Sequence, residues 1–441
     1  MKSGYLWLAS FAIYPLVGAP VLRARAFRIF GLPTRIVLST GVGIVLVSWT
    51  MTLFALLRVR WGPPLILATA AIAFALSLML KSIPSPRVRG EGQGEGRPSI
   101  ETLAAYGLTS LTVTAALLAT LAARSTSPDL LLFWGPKAQQ FAAARTIDVD
   151  FLTAPFHEYV HVYYPPLVPN VFALPAMIAG RFPWGAATLT FPLLLAATAI
   201  GISGTLRAGG SRLRAAATTS LVTGAIALVG ITASVAGNAE PFLLFFELLG
   251  VAVLLVDGLP APVRDLLAGL LFAGAATAKV EGLPFVGAAA ALFVLFDRDA
   301  RAKPVRSLLL LLGPSAVALG TWFVFGATRG LFRGYKGYGS IAAMRLDQAP
   351  QVLHDVAVAL WKAGFALPWI VPLAVLVLAR GWTRRSLFPI ATAAALTAFA
   401  LFTYLTTEAN AALLVSWSGA RVLSPVAGLI ALSSFCGGDR R

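Results

Sequence analysis

LVPNVFALPAMIAG, residues 167–180, decides the topology of this chain and with it the fold. Its fourteen residues are apolar enough to enter a bilayer, yet they include Pro169 and Pro175 and fall short of the ~20 residues that a helix needs to cross one. Around it lie apolar runs long enough, or nearly long enough, to span, at 5–22, 36–57, 63–80, 102–122, 182–204, 215–235, 241–256, 265–278, 282–296, 307–327, 357–379, 386–404 and 411–434. Only helices and closed barrels satisfy their backbones in lipid, and runs this continuous are too long for barrel strands. The expected fold class is therefore all-α, a polytopic membrane protein of about thirteen transmembrane helices with short interfacial helices on its outer face.

Composition supports this class and excludes others. Of 441 residues, 58% are hydrophobic and only 12% charged, against about 25% charged in soluble domains. The net charge of +17 would suggest nucleic acid in a soluble protein. Here the bases sit in short loops between apolar runs, so the expected partner is the lipid headgroup and the expected use is topology. A single cysteine, Cys436, excludes an intrachain disulfide and a cysteine-based metal cluster.

Charge then settles residues 167–180. If they do not cross, 21 of the 35 Lys and Arg residues fall in the loops of one face, among them Arg23, Arg25, Arg28, Arg207, Arg212, Arg214, Arg298 and Arg301. That face is expected to be cytoplasmic. If they cross, the groups at 207–214, 298–306 and 384–385 move to the wrong side. An interfacial helix is the reading that keeps the bases together. It puts outer loops at 123–181 and 328–356, three leading helices at 1–80, a Gly, Pro and Ser-rich cytoplasmic linker at 81–101 and a ten-helix module at 102–434. The expected location is a bacterial inner membrane, with the polar chemistry facing the periplasm.

Polar residues gather on that outer side. Asp129 follows Ser-Thr-Ser-Pro, a context that also suits a capping acid. Lys137 stands in the first turn of a helix begun by Gly135-Pro136, where a cation opposes the helix dipole. Glu240 lies in Gly237-Asn-Ala-Glu240-Pro241, and Glu247, seven residues later, falls on the same face of an apolar helix. Lys279 and Glu281 flank Val280 between two helices, where a local ion pair is an equally good account. Arg421, after Ser416, Trp417 and Ser418, is also placed to snorkel.

His157-Glu158-Tyr-Val-His161 matches the zinc-peptidase pattern, in which two imidazoles share a helical face. Its setting of Tyr159, Val160, Val162, Tyr163 and Tyr164, closed by Pro165 and Pro166, opposes a helix, and no third ligand follows.

Asp129 with Trp134-Gly-Pro-Lys137-Ala, His161-Val-Tyr-Tyr164-Pro-Pro, Gly-Asn-Ala-Glu240-Pro and Ala-Lys279-Val-Glu281-Gly282 together resemble bacterial integral-membrane glycosyltransferases of the GT-C superfamily. Those enzymes are relatives of protein mannosyltransferases and lipid A aminoarabinose transferases. The resemblance covers about 102–434 and includes Ser418-Gly-Ala-Arg421, while three leading helices depart from many members. It implies a site that takes a sugar from a polyprenyl-phosphate carrier and gives it to a glycan, lipid or protein acceptor. Asp129 is then the first-loop acid, serving as base or metal ligand, and Glu240 the second acid. A divalent metal ion is the one cofactor left open. Such transfer needs a base for the acceptor hydroxyl and cations for the departing phosphate. Lys137, Lys279, Arg333 and Arg421 are the candidate phosphate contacts, with Trp134 and Tyr164 stacking on the sugar and His161 and Glu281 completing the motifs. The alternative from another class is a flippase or transporter of lipid-linked saccharides, which the lack of paired internal halves weakens.

Overall fold

In the computed structural model the chain is all-α. The structure describes residues 2–23, 25–81, 98–123, 128–155, 160–230, 237–332, 343–364, 374, 383–407 and 410–436. Nine helices among these residues are long and apolar enough to cross a membrane, fewer than the thirteen expected. The chain is a multi-pass membrane protein. The shortfall has physical reasons. Glu240–Leu254 and Gly282–Phe296 are fifteen-residue helices, about 22 Å each at 1.5 Å per residue. Arg212–Gly230 carries two arginines and four hydroxyl side chains that dilute its apolar content. The run at 357–379 lies mostly outside the described residues, as does the linker at 82–97.

The deciding stretch forms the helix Leu167–Ala179, ended by Gly180 in the left-handed region at φ 72°. Every residue from Leu167 to Ala176 is buried, because Lys2–Ser10, Leu32–Leu56 and Gly135–Ala144 pack around it. The helix is thus sheathed by protein. Its prolines are accommodated specifically. Pro175 has no N–H to offer the carbonyl of Val171, and the Tyr14 hydroxyl donates to that carbonyl instead, at 2.8 Å. Asn170 donates to the Ser48 carbonyl at 3.2 Å and to the Ser48 and Thr52 hydroxyls, tying the helix to Leu32–Leu56. The leading helices are therefore part of the scaffold that holds the helix Leu167–Ala179.

Glu240–Leu254 is the centre of the molecule, with all fifteen residues buried. It packs against Thr190–Gly209, Ala261–Ala278 and Ser424–Ser433. Its hairpin with Ala261–Ala278 interlocks through two reciprocal gaps: a Cβ on Gly250 would lie 2.6 Å from the Phe272 ring, and one on Gly274 would lie 2.3 Å from the Phe246 ring. Each phenyl ring fills the notch left by the other helix's glycine.

The two ends of Ala261–Ala278 carry different polar clusters. At its start Arg264 donates to both carboxylate oxygens of Asp297, at 3.2 and 3.3 Å, and to Asp265 at 3.1 Å, while Ser307 donates to Asp265 at 2.8 Å. Arg264 also lies over the Phe293 ring. That cluster is internally satisfied. At the other end, after eighteen residues or about 27 Å, stands Lys279.

Candidate functional site

Lys279 follows the last helical residue, Ala278, with an extended backbone, φ −157° and ψ 157°. The turn it begins is tight: a Cβ on Gly282 would lie 2.0 Å from the Ala275 carbonyl oxygen, so only glycine fits where the next helix starts. The Lys279 Nζ donates to Glu240 Oε1 at 3.1 Å and sits 3.0 Å from Glu281 Oε1. Burial alone would lower its pKa, but Glu240 and Glu281 outweigh that penalty and hold it well above the ordinary lysine value.

Arg421, on the helix Ala411–Val422, extends the cluster. Its Nη1 donates to Asp129 Oδ2 at 3.1 Å, and its Nε lies 3.9 Å from Glu240 Oε1 with no hydrogen-bond partner of its own. Asp129, Arg421, Glu240, Lys279 and Glu281 thus form one chain of alternating charge drawn from four separate parts of the sequence. Asp129 stands at the start of the π-helical turn Leu130–Trp134 and makes no capping bond. The capping account is replaced by a contact 292 residues away in sequence. Burial raises the Asp129 pKa, with Arg421 opposing. Within the π turn the Gly135 N–H reaches the Leu130 carbonyl, five residues back.

Beside this chain stands a group of rings. His161 and Tyr164 stack at 4.9 Å with 17° between planes, and Tyr164 stacks on Trp134 at 5.9 Å. Trp134 is fully buried, whereas Tyr164 and His161 are half-buried, so the latter two present the accessible ring surface. His161 has φ 49°, and its Nδ1 lies 3.2 Å from the Tyr163 hydroxyl. Burial, with Lys137 and Lys279 nearby, pushes its pKa down to about 4. Lys137 is buried, donates to the His161 carbonyl at 3.0 Å and lies over Trp134 at 5.4 Å. Among the described residues no carboxylate is paired with it, and burial lowers its pKa to about 7.

Beneath the chain of charges lies a cavity of about 30 Å³ lined by Glu240, Glu247, Lys279, Glu281, Arg421 and Ser424 among others. Glu247, a costly acid in an apolar helix by sequence, joins the site here, and its seven-residue spacing from Glu240 is the sequence signal for it. A larger cavity of about 1000 Å³ opens between Trp61, Ile66, Gln139, Arg145 and Met177.

Arg333, His157 and Glu158 lie outside the described residues. Among the described residues no three His, Cys, Asp or Glu side chains are placed to hold a metal ion. Nine candidate residues, Asp129, Trp134, Lys137, His161, Tyr164, Glu240, Lys279, Glu281 and Arg421, are gathered at one end of the bundle. No protein-family model, curated protein or solved structure matches the chain, which stands as an all-helical, multi-pass membrane protein.

Proposed function

We propose that this protein is a membrane glycosyltransferase, moving a sugar from a polyprenyl-phosphate carrier to an acceptor hydroxyl at the periplasmic face of a bacterial inner membrane. The observation that carries the reading is the contact of Asp129 with Arg421 in a chain of charges shared with Glu240 and Lys279, beside the rings of His161 and Tyr164. A carboxylate whose pKa is raised by burial is a better base for an acceptor hydroxyl. The unengaged Nε of Arg421 and the ammonium of Lys137 offer donors to a departing phosphate. The apolar walls of the 1000 Å³ cavity suit a prenyl chain. Sidedness rests on the bases of the short loops, which the charge pattern assigns to one face.

In this mechanism Asp129 takes the proton as the acceptor oxygen attacks the anomeric carbon, the carbon–oxygen bond to phosphate breaks, and the phosphate leaves with its charge held by the cations. Asp129→Asn is expected to lower transfer of radiolabelled sugar from polyprenyl-phosphate donors by about 10²–10⁴-fold, with expression and thermal stability close to wild type. Full activity in that variant sinks the assignment.

Transport of a lipid-linked saccharide is the second reading, favoured by Glu247, an acid about two turns deeper in the bundle than Glu240. Equal translocation of such a lipid by wild type and Asp129→Asn in proteoliposomes, without sugar transfer, would establish it instead.

A further inference from the structure

We propose that the small cavity beneath the chain of charges is a hydrated proton site, with Glu247 as the residue that holds the proton and exchanges it through cavity water. The inference concerns the resting protein and stands whether or not a sugar is transferred. Glu247 is 2% exposed, sits inside a helix buried on every side and has an Oε2 without a hydrogen-bond partner. Glu240 and Glu281, which line the same cavity, also have an orphaned Oε2 each. A buried polar atom without a partner is costly, and an unpaired buried carboxylate is costlier still. Three such oxygens around one void specify what fills it.

Charge and volume select the occupant. The groups facing Glu247 are Glu240 on its own helix, Lys279 and Glu281 at the junction of the next two helices, and Arg421. Leu396 and Phe399 of Arg384–Thr406 and Ser424 and Pro425 of the last helix contribute no titratable group. With Asp129 held by Arg421, four acids share two cations. Glu247 is the acid left without a cation, and a proton neutralises it where it stands. As a carboxylic acid it gains an O–H donor, and water accepting from it can donate to the orphaned oxygens of Glu240 and Glu281. The cavity of about 30 Å³ exceeds the ~10–15 Å³ that one water requires. In the exchange step Glu247 gives its proton to that water while the water passes one of its own to a neighbouring carboxylate. One O–H bond breaks and one forms at each oxygen pair, and nothing else is consumed.

Infrared difference spectroscopy of the full chain in lipid nanodiscs at neutral pH, wild type minus Glu247→Gln, tests this. The expected result is one protonated-carboxyl C=O band present in wild type, lost in the variant and shifted in D₂O. Absence of the band shows an ionised Glu247 and overturns the proposal, as does a band that D₂O does not move. Loss of the wild-type band on adding sodium or calcium ions alone makes the cavity a metal-cation site and equally overturns it. Should Glu247→Gln fail to fold, Glu247→Asp is read in its place: a band at a changed frequency supports the assignment, and an unchanged band belongs to another carboxyl and refutes it.

Discussion

Lys279 stands between the buried Glu240 and the half-buried Glu281, and removing it leaves Glu281 without its cation and Glu240 with only the more distant Arg421. Lys279→Met is expected to destabilise the protein by about 3–5 kcal/mol, measured by denaturant titration in detergent. Adding Glu240→Gln should recover most of that loss, because the neutral pair no longer strands a charge. Lys137 makes a different prediction. In the unfolded chain it binds its proton up to about 10.5, in the fold only up to about 7. Between these values the unfolded state holds a proton that the folded state lacks, so stability from this group rises with pH across that window. The rise should vanish in Lys137→Met. The chemistry of these residues was legible in the sequence, since an ionisable group in an apolar run demands a reason. Their pairing was not: nothing local tells Asp129 that its partner is Arg421, 292 residues on. Trp134 shows the same limit from the other side. Its place in the motif was readable, but its complete burial depends on Tyr164 and on neighbours that only the folded chain supplies.

At the scale of elements, glycines and one hydroxyl decide how the helix Leu167–Ala179 is supported. Ile13–Leu22 lies against Leu32–Leu56 so closely that a Cβ on Gly43 would be 1.9 Å from the Tyr14 carbonyl oxygen, and one on Gly18 would be 1.9 Å from that of Ser39. Both obstacles are backbone, which no rotamer change relieves. Gly43→Ala is expected to cost about 1–3 kcal/mol or more and to loosen the helix Leu167–Ala179 above it, seen as faster amide exchange there. By contrast Gly274→Ala meets a side chain, the Phe246 ring, rather than backbone and should be milder. Tyr14→Phe leaves the Val171 carbonyl without a donor and should cost about 1–3 kcal/mol. The apolar runs announced most of these helices. The runs at 241–256 and 282–296 already show that two of them are short, but not that Glu240–Leu254 is covered on every side, because hydropathy records what lipid tolerates and not which helices are shielded from lipid by their neighbours.

For the whole molecule, the polar groups separate to two ends: Arg264, Asp265 and Asp297 at one, Asp129, Glu240, Lys279 and Arg421 at the other. Cysteines placed by Asp150→Cys and Arg301→Cys in a Cys436→Ser background should therefore react with a membrane-impermeant maleimide from opposite sides. Labelling of both from one side would refute the topology drawn from the basic loops. The hairpin of Glu240–Leu254 and Ala261–Ala278 has a consequence for biogenesis. A fifteen-residue helix carrying two acids and offering no face to lipid is a poor substrate for insertion by itself. Its open end, however, brings Glu240 and Lys279 within 3.1 Å of each other. Inserted as a pair, the two helices would bring Glu240 and its counterion Lys279 into the hydrocarbon layer together, so the pair that shapes the site is expected to lower the cost of inserting the nascent hairpin. Glycosylation mapping of the isolated hairpin should show its insertion falling with Lys279→Met and returning with Lys279→Met and Glu240→Gln together.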